Sequence, residues 1–474
     1  MIIFISCILI LLGGYFIFSK YIVKLFGVND KNITPALKIN DGVDYYPLPT
    51  WKIYTIQFLN IAGLGPIFGA ILGAMYGPAA YVWVVLGCVF MGATHDYFSG
   101  MISLRNNGAS VPETVGKYLG DFVKNIMNVF TLLLLIFVGV AFVIGPAGLL
   151  STILGGNFKI WVYLIFLYYL IATLLPIHQI IGKIYPFFGI SLIVMAIMVG
   201  GYLLFGNIQL GELKFSSLKN LHHTPTQNIL FPMLFIVISC GAISGFHSTQ
   251  SPMMARCIKK ESLGRSVFYG AMITEGIVAC IWATVAINYF GNTEGLNQVF
   301  IEKGSNPAWI VNEVCNTWFG KTGAIIAIIG VIACPITTGD TAFRSARLTL
   351  AEMLKINQQK LQNRIFVCLP LFIIGFILSQ LNFSTIWKYL GLSNQILATI
   401  FLWTIAVYLS ANKKFHWVAT LPAVFMTMVC SIYILVAPIK NGGLALDTSY
   451  SYWIAMIFSL IVFLIFMRKT SNKS

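Results

Sequence analysis

Charge is what this chain has least of. Aspartate, glutamate, lysine and arginine make up 9% of its 474 residues, against roughly 25% in ordinary soluble domains. No polar stretch approaches the ~50 residues of a small folded domain, which excludes a separate catalytic, ATP-binding or DNA-binding domain. The nine cysteines (Cys7, Cys88, Cys240, Cys257, Cys280, Cys315, Cys334, Cys368 and Cys430) form no CxxC pair. A disulfide framework and a zinc ribbon are therefore unsupported. Neither HxxxH nor HExxH spacing occurs, so no sequence-local metal motif is present. The first twenty residues lack a basic n-region and a small-residue cleavage site, and read as a retained span rather than a signal peptide.

What fills the chain is apolar. Hydrophobic residues are 58% of the total, arranged in blocks of the ~20 residues that cross a hydrocarbon core. Thirteen spans are expected, at 2–26, 55–76, 79–103, 124–150, 160–178, 183–205, 229–250, 263–290, 320–343, 364–382, 391–410, 416–437 and 450–467. The fold class is thus all-α and polytopic. With the C-terminus inside and the N-terminus outside, 23 of the 30 lysines and arginines fall in cytoplasmic loops or at cytoplasmic span ends, as the positive-inside rule requires. The net charge of +15 then reflects cytoplasmic loops facing anionic lipid, not nucleic acid.

The order of elements repeats. NIAGLGPIFG (60–69) interrupts the second span and SCGAISGFH (239–247) the seventh. A long span follows each, then the longest loop of its set (104–123 and 291–319), then three more spans. Two five-helix units are expected, 55–205 and 229–410, joined by an external loop at 206–228. Residues 1–54 precede them as a helix and a cytoplasmic loop, and 411–474 follow as two helices and a tail. Five is odd, so the second unit is inverted. Gly/Pro-interrupted helices at matching places in inverted halves point to a secondary transporter's binding site.

Gly63, Gly65 and Pro66 remove helical hydrogen bonding at mid-depth, and backbone freed there must be buried in protein or line a watery cavity. Gly69, Gly73 and Gly77 continue the spacing of four and read as a packing face. Gln57 and Asn60, just before the break, either contact a polar solute or satisfy the broken backbone. In the seventh span Gly241, Ser244, Gly245, His247 and Ser248 form a polar run; His247 is either a structural histidine or part of the site. Ionisable groups deep in other spans are functional candidates by default: His95 and Asp96, Glu275, and Asp340, which follows Thr337 and Thr338. These carry proton or ion coupling, or Asp96 and Asp340 pair with Arg105, Arg344 or Arg347 to close a cytoplasmic gate. The His222–His223 pair reads as solvated.

Six ordered motifs carry a family resemblance: DGVDYYPLPTW (41–51), NIAGLGPIFG (60–69), GATHDYFSG (92–100), SCGAISGFHSTQSP (239–252), TGDTAFRSAR (338–347) and LGLSNQILA (390–398). From about residue 30 to 410 the chain resembles the carbon starvation protein A family. That resemblance implies uptake of peptides or, in some members, of pyruvate, driven by protons and linked to carbon starvation. It also implies membership of the amino acid–polyamine–organocation superfamily, with its LeuT-like five-plus-five inverted repeat. The expectation is a plasma (inner) membrane importer of a small organic solute, without enzymatic activity, cofactor, nucleic-acid partner or ATPase subunit. A bound metal stays open. The rival readings are a nutrient sensor that does not transport and a passive channel.

Overall fold

The computed structural model describes residues 2–175, 183, 185–206, 218–302, 307–381 and 383–471. Small parts of three expected spans (176–178, 184 and 382), residues 303–306 of the loop 291–319 and most of the loop 206–228 lie outside these. Every regular element among the described residues is a helix, with no strand. An apolar chain in lipid has little choice, because a helix satisfies its own backbone.

The elements are α1 (Ile3–Phe26), α2 (Thr50–Ala62), α3 (Gly65–Ala74), α4 (Ala79–Arg105), α5 (Val111–Leu119), α6 (Asp121–Ile153), α7 (Phe158–Leu174) and α8 (Tyr185–Phe205). They continue with α9 (Leu230–Val237), α10 (Gly245–Ala255), α11 (Glu261–Tyr289), α12 (Thr293–Glu302), α13 (Pro307–Met353), α14 (Leu361–Leu378), α15 (Phe383–Ala411), α16 (Trp417–Val436) and α17 (Thr448–Ser471). Among the described residues nine are long and apolar enough to cross a membrane, and α2–α3, bent by 49°, makes a tenth. The remaining expected spans differ in build. Helix α7 has 17 residues, and α9 and α10 are separate because 238–244 is not helical. Span 320–343 lies within the 47-residue α13, which turns sharply at Gly320 (φ 62°, ψ −174°). The expected loop 291–319 is largely helical, formed by α12 and the start of α13.

Both breaks have local causes. Helix α2 ends where Gly63 takes φ 46° and ψ −137°, and Pro66 cannot donate to the ladder that would continue it. Four helices contain a wider π-helical stretch, at Gly14–Phe18, Gly65–Gly69, Gly87–Gly92 and Arg265–Gly270. No sequence period announced them.

Helices α4 and α11 form the interior: 89% of the central window of α11 is buried, against 22% for α17. Helix α13 packs along α6, α10 lies between α4 and α15, and α11 covers α2 and α3. Large apolar side chains are exposed along α1, α8, α14 and α17, as lipid-facing helices require.

The segment 27–49 straps the end that the charge pattern places in the cytoplasm. The Asn29 backbone N–H and the Asn32 amide donate to Glu261 at 2.8 and 2.9 Å. Asp30 accepts from the Ser262 N–H at 2.8 Å, and the Tyr45 hydroxyl donates to the Asn107 carbonyl at 3.0 Å. Leu48 N–H reaches the Cys257 carbonyl at 3.2 Å. Glu261 also receives Arg105 at 2.9 Å, whose guanidinium stacks 4.0 Å from the Phe26 ring centroid.

Candidate functional site

The two breaks touch. A Cβ placed on Gly65 would lie 2.1 Å from the Cys240 Cβ and 2.4 Å from its Sγ. Gly241, at φ 91°, faces Ala279 and Pro66. Only glycine serves here, since a side chain at Gly65 would part the two backbones and one at Gly241 would strain its own. The N-terminus of α10 is capped from outside its own helix. Asn394 Oδ1, on α15, accepts the Phe246 N–H at 2.6 Å and the Ser244 hydroxyl at 3.1 Å. Gly245 presses on the α15 backbone at Asn394 and Ala398, and Gly63 on the Phe142 ring. The four glycines of the expected site thus face protein atoms in this conformation. The Ser248 hydroxyl turns back onto the Gly245 carbonyl at 2.6 Å. Gly69, Gly73 and Gly77 pack against Val237, Ile238 and Leu221.

Gln57 and Asn60 are completely buried one turn apart, and all four of their amide atoms lack a partner. Amides in apolar surroundings normally find partners. Two together beside a helix break leave four hydrogen-bonding atoms uncommitted.

Three helices contribute a continuous chain of ionisable groups. His95 Nδ1 lies 2.9 Å from Asp96 Oδ1, and Asp96 Oδ2 lies 2.9 Å from His247 Nδ1. On the far side of that imidazole, Nε2 is 3.3 Å from Glu275 Oε2. That last pair is close but not aligned as a hydrogen bond, and neither atom has another partner. Cys240 stands beside it, with one donor atom each from Cys240, His247 and Glu275 within 4.8 Å of the others. All four chain residues are fully enclosed.

Asp340 is elsewhere. It accepts from the Thr173 hydroxyl at 3.3 Å and from the Tyr185 hydroxyl, which ties α13 to α7 and α8. Thr338 donates to the Leu59 carbonyl of α2 at 2.9 Å, whereas Thr337 caps carbonyls of its own helix. Gate pairs between Asp96 or Asp340 and an arginine are not what the ion pairs show. Arg105 takes Glu261. Arg344 and Arg347 approach Asp44 of the strap at 3.8 and 3.6 Å, and Arg344 donates to the Ala172 and Leu175 carbonyls.

Of the histidine pair outside the core, His223 is exposed as expected, whereas His222 departs from the solvated reading. His222 is half-buried, stacked on His223 and against Tyr76. His223 is held to Asn297 at 3.0 Å, and Asn297 donates to the Met75, Leu221 and Thr293 carbonyls. Sequence reasoning passed over Cys240, Asn394, Tyr185, Thr173 and Asp44. Cys240 and Asn394 lie inside the quoted motifs SCGAISGFHSTQSP and LGLSNQILA, which was the available signal.

Comparison with known proteins places the chain among membrane transporters and their relatives. The family described as carbon starvation protein CstA matches residues 1–145, 147–314 and 308–433. An uncharacterized membrane protein of Haemophilus influenzae is 44% identical over 62% of this chain and 93% of its own length. The peptide transporter CstA of Escherichia coli is 24% identical over 90% of this chain and 79% of its own. The pyruvate/proton symporter BtsT of Escherichia coli is 28% identical over 58% of this chain, a match spanning 47% of that longer protein. Solved mutant structures of a manganese transporter from Eremococcus coleocola share the fold. Their TM-scores are 0.55 and 0.56 at 14% identity, over 91% of this chain and 99% of theirs.

Proposed function

The chain belongs to the carbon starvation protein CstA family, and from that premise we propose that it is a proton-driven importer of a small organic nutrient. Its cargo is a peptide or a short carboxylate such as pyruvate, taken up in carbon starvation across the inner membrane. The observation that carries this reading is the contact between the two interrupted helices at Gly65 and Cys240, beside the unpartnered amides of Gln57 and Asn60. Backbone at such a crossing presents N–H groups at half-helix starts, which suit a carboxylate.

In this reading there are thirteen crossings, with the N-terminus outside. Helices α2 to α8 and α9 to α15 are the two inverted halves, preceded by α1 and followed by α16 and α17. Support comes from the repeated order: a broken helix, a long enclosed helix (α4, α11), a helical connection, then the long α6 and α13. Gln57, Asn60, Gly63, Gly65, Pro66, Gly241, Ser244, Gly245, His247 and Ser248 surround the solute. Asp340 carries the proton. Its hydroxyl partners come from α7 and α8, so a rearrangement between those helices and α13 changes its environment. His95, Asp96 and Glu275 gate the centre, and Thr337 and Thr338 fix α13 against α2.

Proteoliposomes under an imposed pH gradient test the reading with labelled dipeptide, tripeptide and pyruvate. Accumulation of one of them that collapses with the gradient is the expected result. Flux that only equalises concentrations would make the protein a channel, and saturable binding without flux a sensor.

A further inference from the structure

We propose that Cys240, His247 and Glu275 form a binding site for a divalent transition metal of the zinc class. Three observations carry it, independently of what the chain moves. The three donor atoms already lie within 4.8 Å of one another, and ligands around zinc at bond lengths of ~2.0–2.3 Å sit about 3.3–3.8 Å apart. A small contraction completes the set. Next, His247 Nε2 and both Glu275 carboxylate oxygens are buried, 3.3 Å apart at their nearest, without a well-aligned hydrogen bond. Such atoms cost too much to leave empty-handed in a membrane interior. Finally, the imidazole is oriented as metal-bound histidines are. Its other nitrogen, Nδ1, is held by Asp96 at 2.9 Å, and Asp96 is held in turn by His95 at 2.9 Å. A carboxylate behind the ring fixes the tautomer and aims Nε2 outward.

Charge points the same way. Among the described residues Asp96 and Glu275 form ion pairs only with imidazoles, while the guanidiniums are engaged elsewhere: Arg105 with Glu261, Arg256 with Glu352, Arg344 and Arg347 with Asp44. A divalent cation would supply the missing positive charge. A thiolate, an imidazole and a carboxylate together select a borderline ion over magnesium or calcium. Three protein ligands leave a fourth position for water or a carboxylate oxygen of a bound solute. No local motif announces the site, because the donors are 7 and 28 residues apart, on a break and two helices.

The test is cobalt titration of the purified, chelator-stripped protein in detergent, read by absorption and by metal analysis after gel filtration. One Co²⁺ per chain is expected, with a thiolate charge-transfer band and tetrahedral visible bands, displaced by Zn²⁺. Cys240→Ser should remove the charge-transfer band, and Glu275→Gln should weaken binding while leaving the band. Asp96→Asn, which acts through His247, should weaken binding about 10–100-fold. The double variant His222→Ala, His223→Ala should bind as before. Should Cys240→Ser aggregate, Glu275→Gln, of equal size, decides. No stoichiometric cobalt, no thiolate band, or binding that survives Glu275→Gln and follows His222 and His223 would overturn the site. Each can occur with transport intact, so this result and the transport reading fail separately.

Discussion

Replacing Gly65 with alanine puts a methyl group where Cys240 already is. The new Cβ would fall 2.1 Å from the Cys240 Cβ and 2.4 Å from its Sγ, whereas carbons in contact sit about 3.5–4.0 Å apart. The two broken helices must then separate by roughly 1.5 Å, with α11 behind them and little room to yield. Overpacking of this kind costs roughly 1–3 kcal/mol, a factor of about 5–150 in the population of the state in which the breaks meet. Identity of the clashing atom sharpens the test. Cys240→Ala keeps the nearer atom and gives no relief, whereas Cys240→Gly removes it. In thermal unfolding of purified protein, Gly65→Ala should be destabilised, its combination with Cys240→Ala no better, and its combination with Cys240→Gly largely restored. A coupling of about 0.5–3 kcal/mol should appear only in the glycine cycle. Uptake in vesicles should follow the same order for the first two variants. If Gly65→Ala unfolds and transports like the parent, or if alanine and glycine at 240 rescue equally, the breaks are not in contact.

Asp340→Asn is expected to weaken gradient-driven accumulation well beyond any loss of substrate binding, with counterflow preserved; accumulation that still follows the pH gradient would remove this carboxylate from coupling. Burial and the neighbouring His223 push the His222 imidazole down to about 4. Its folded value lies below the ordinary 6.5, so the stability it contributes is present above that range and lost as pH falls towards about 4. Hydrogen exchange in 218–229 should therefore rise on acidification, and His222→Phe, which keeps the stack on Tyr76, should flatten the response; an equal rise in that variant would assign the effect elsewhere. Lys117→Cys and Lys360→Cys should be labelled by an impermeant thiol reagent only from the cytoplasmic side, and Glu294→Cys only from outside. The nine native thiols are buried and give little background, so external labelling at 117 in intact cells would sink the inverted arrangement.

The breaks were legible from sequence because glycine, proline and serine clusters advertise lost helical hydrogen bonding whatever surrounds them. Gly63–Pro66 and Ser239–Ser244 are both non-helical or distorted as that chemistry demands. Buried ionisable groups were legible for a similar reason, being conspicuous in apolar runs. Partnership was not. Apolar blocks show which residues are helical, but lipid-spanning helices lack the one-sided polar stripe that would reveal which neighbour each faces. So Asp96 with His247, 151 residues apart, came only from three dimensions, as did Asp340 with Tyr185. The pairing of Arg344 and Arg347 with Asp44 was not legible because Asp44 sits in a polar segment, where a carboxylate looks ordinary. Cys240 was overlooked because a cysteine in an apolar run usually behaves as a small hydrophobe.

Fully extended, the residues of the strap over 27–49 would reach ~80 Å. What holds it in place is its anchors. Asn29, Asp30 and Asn32 hold the start of α11, Tyr45 holds the turn after α4, and Asp44 faces α13. Helices α4, α11 and α13 are moored to one tether that can be released point by point. Opening that side would then resemble undoing a row of fasteners rather than breaking a single latch, with each step small enough for thermal motion. A chain beginning after residue 49 would leave α4, α11 and α13 without that mooring.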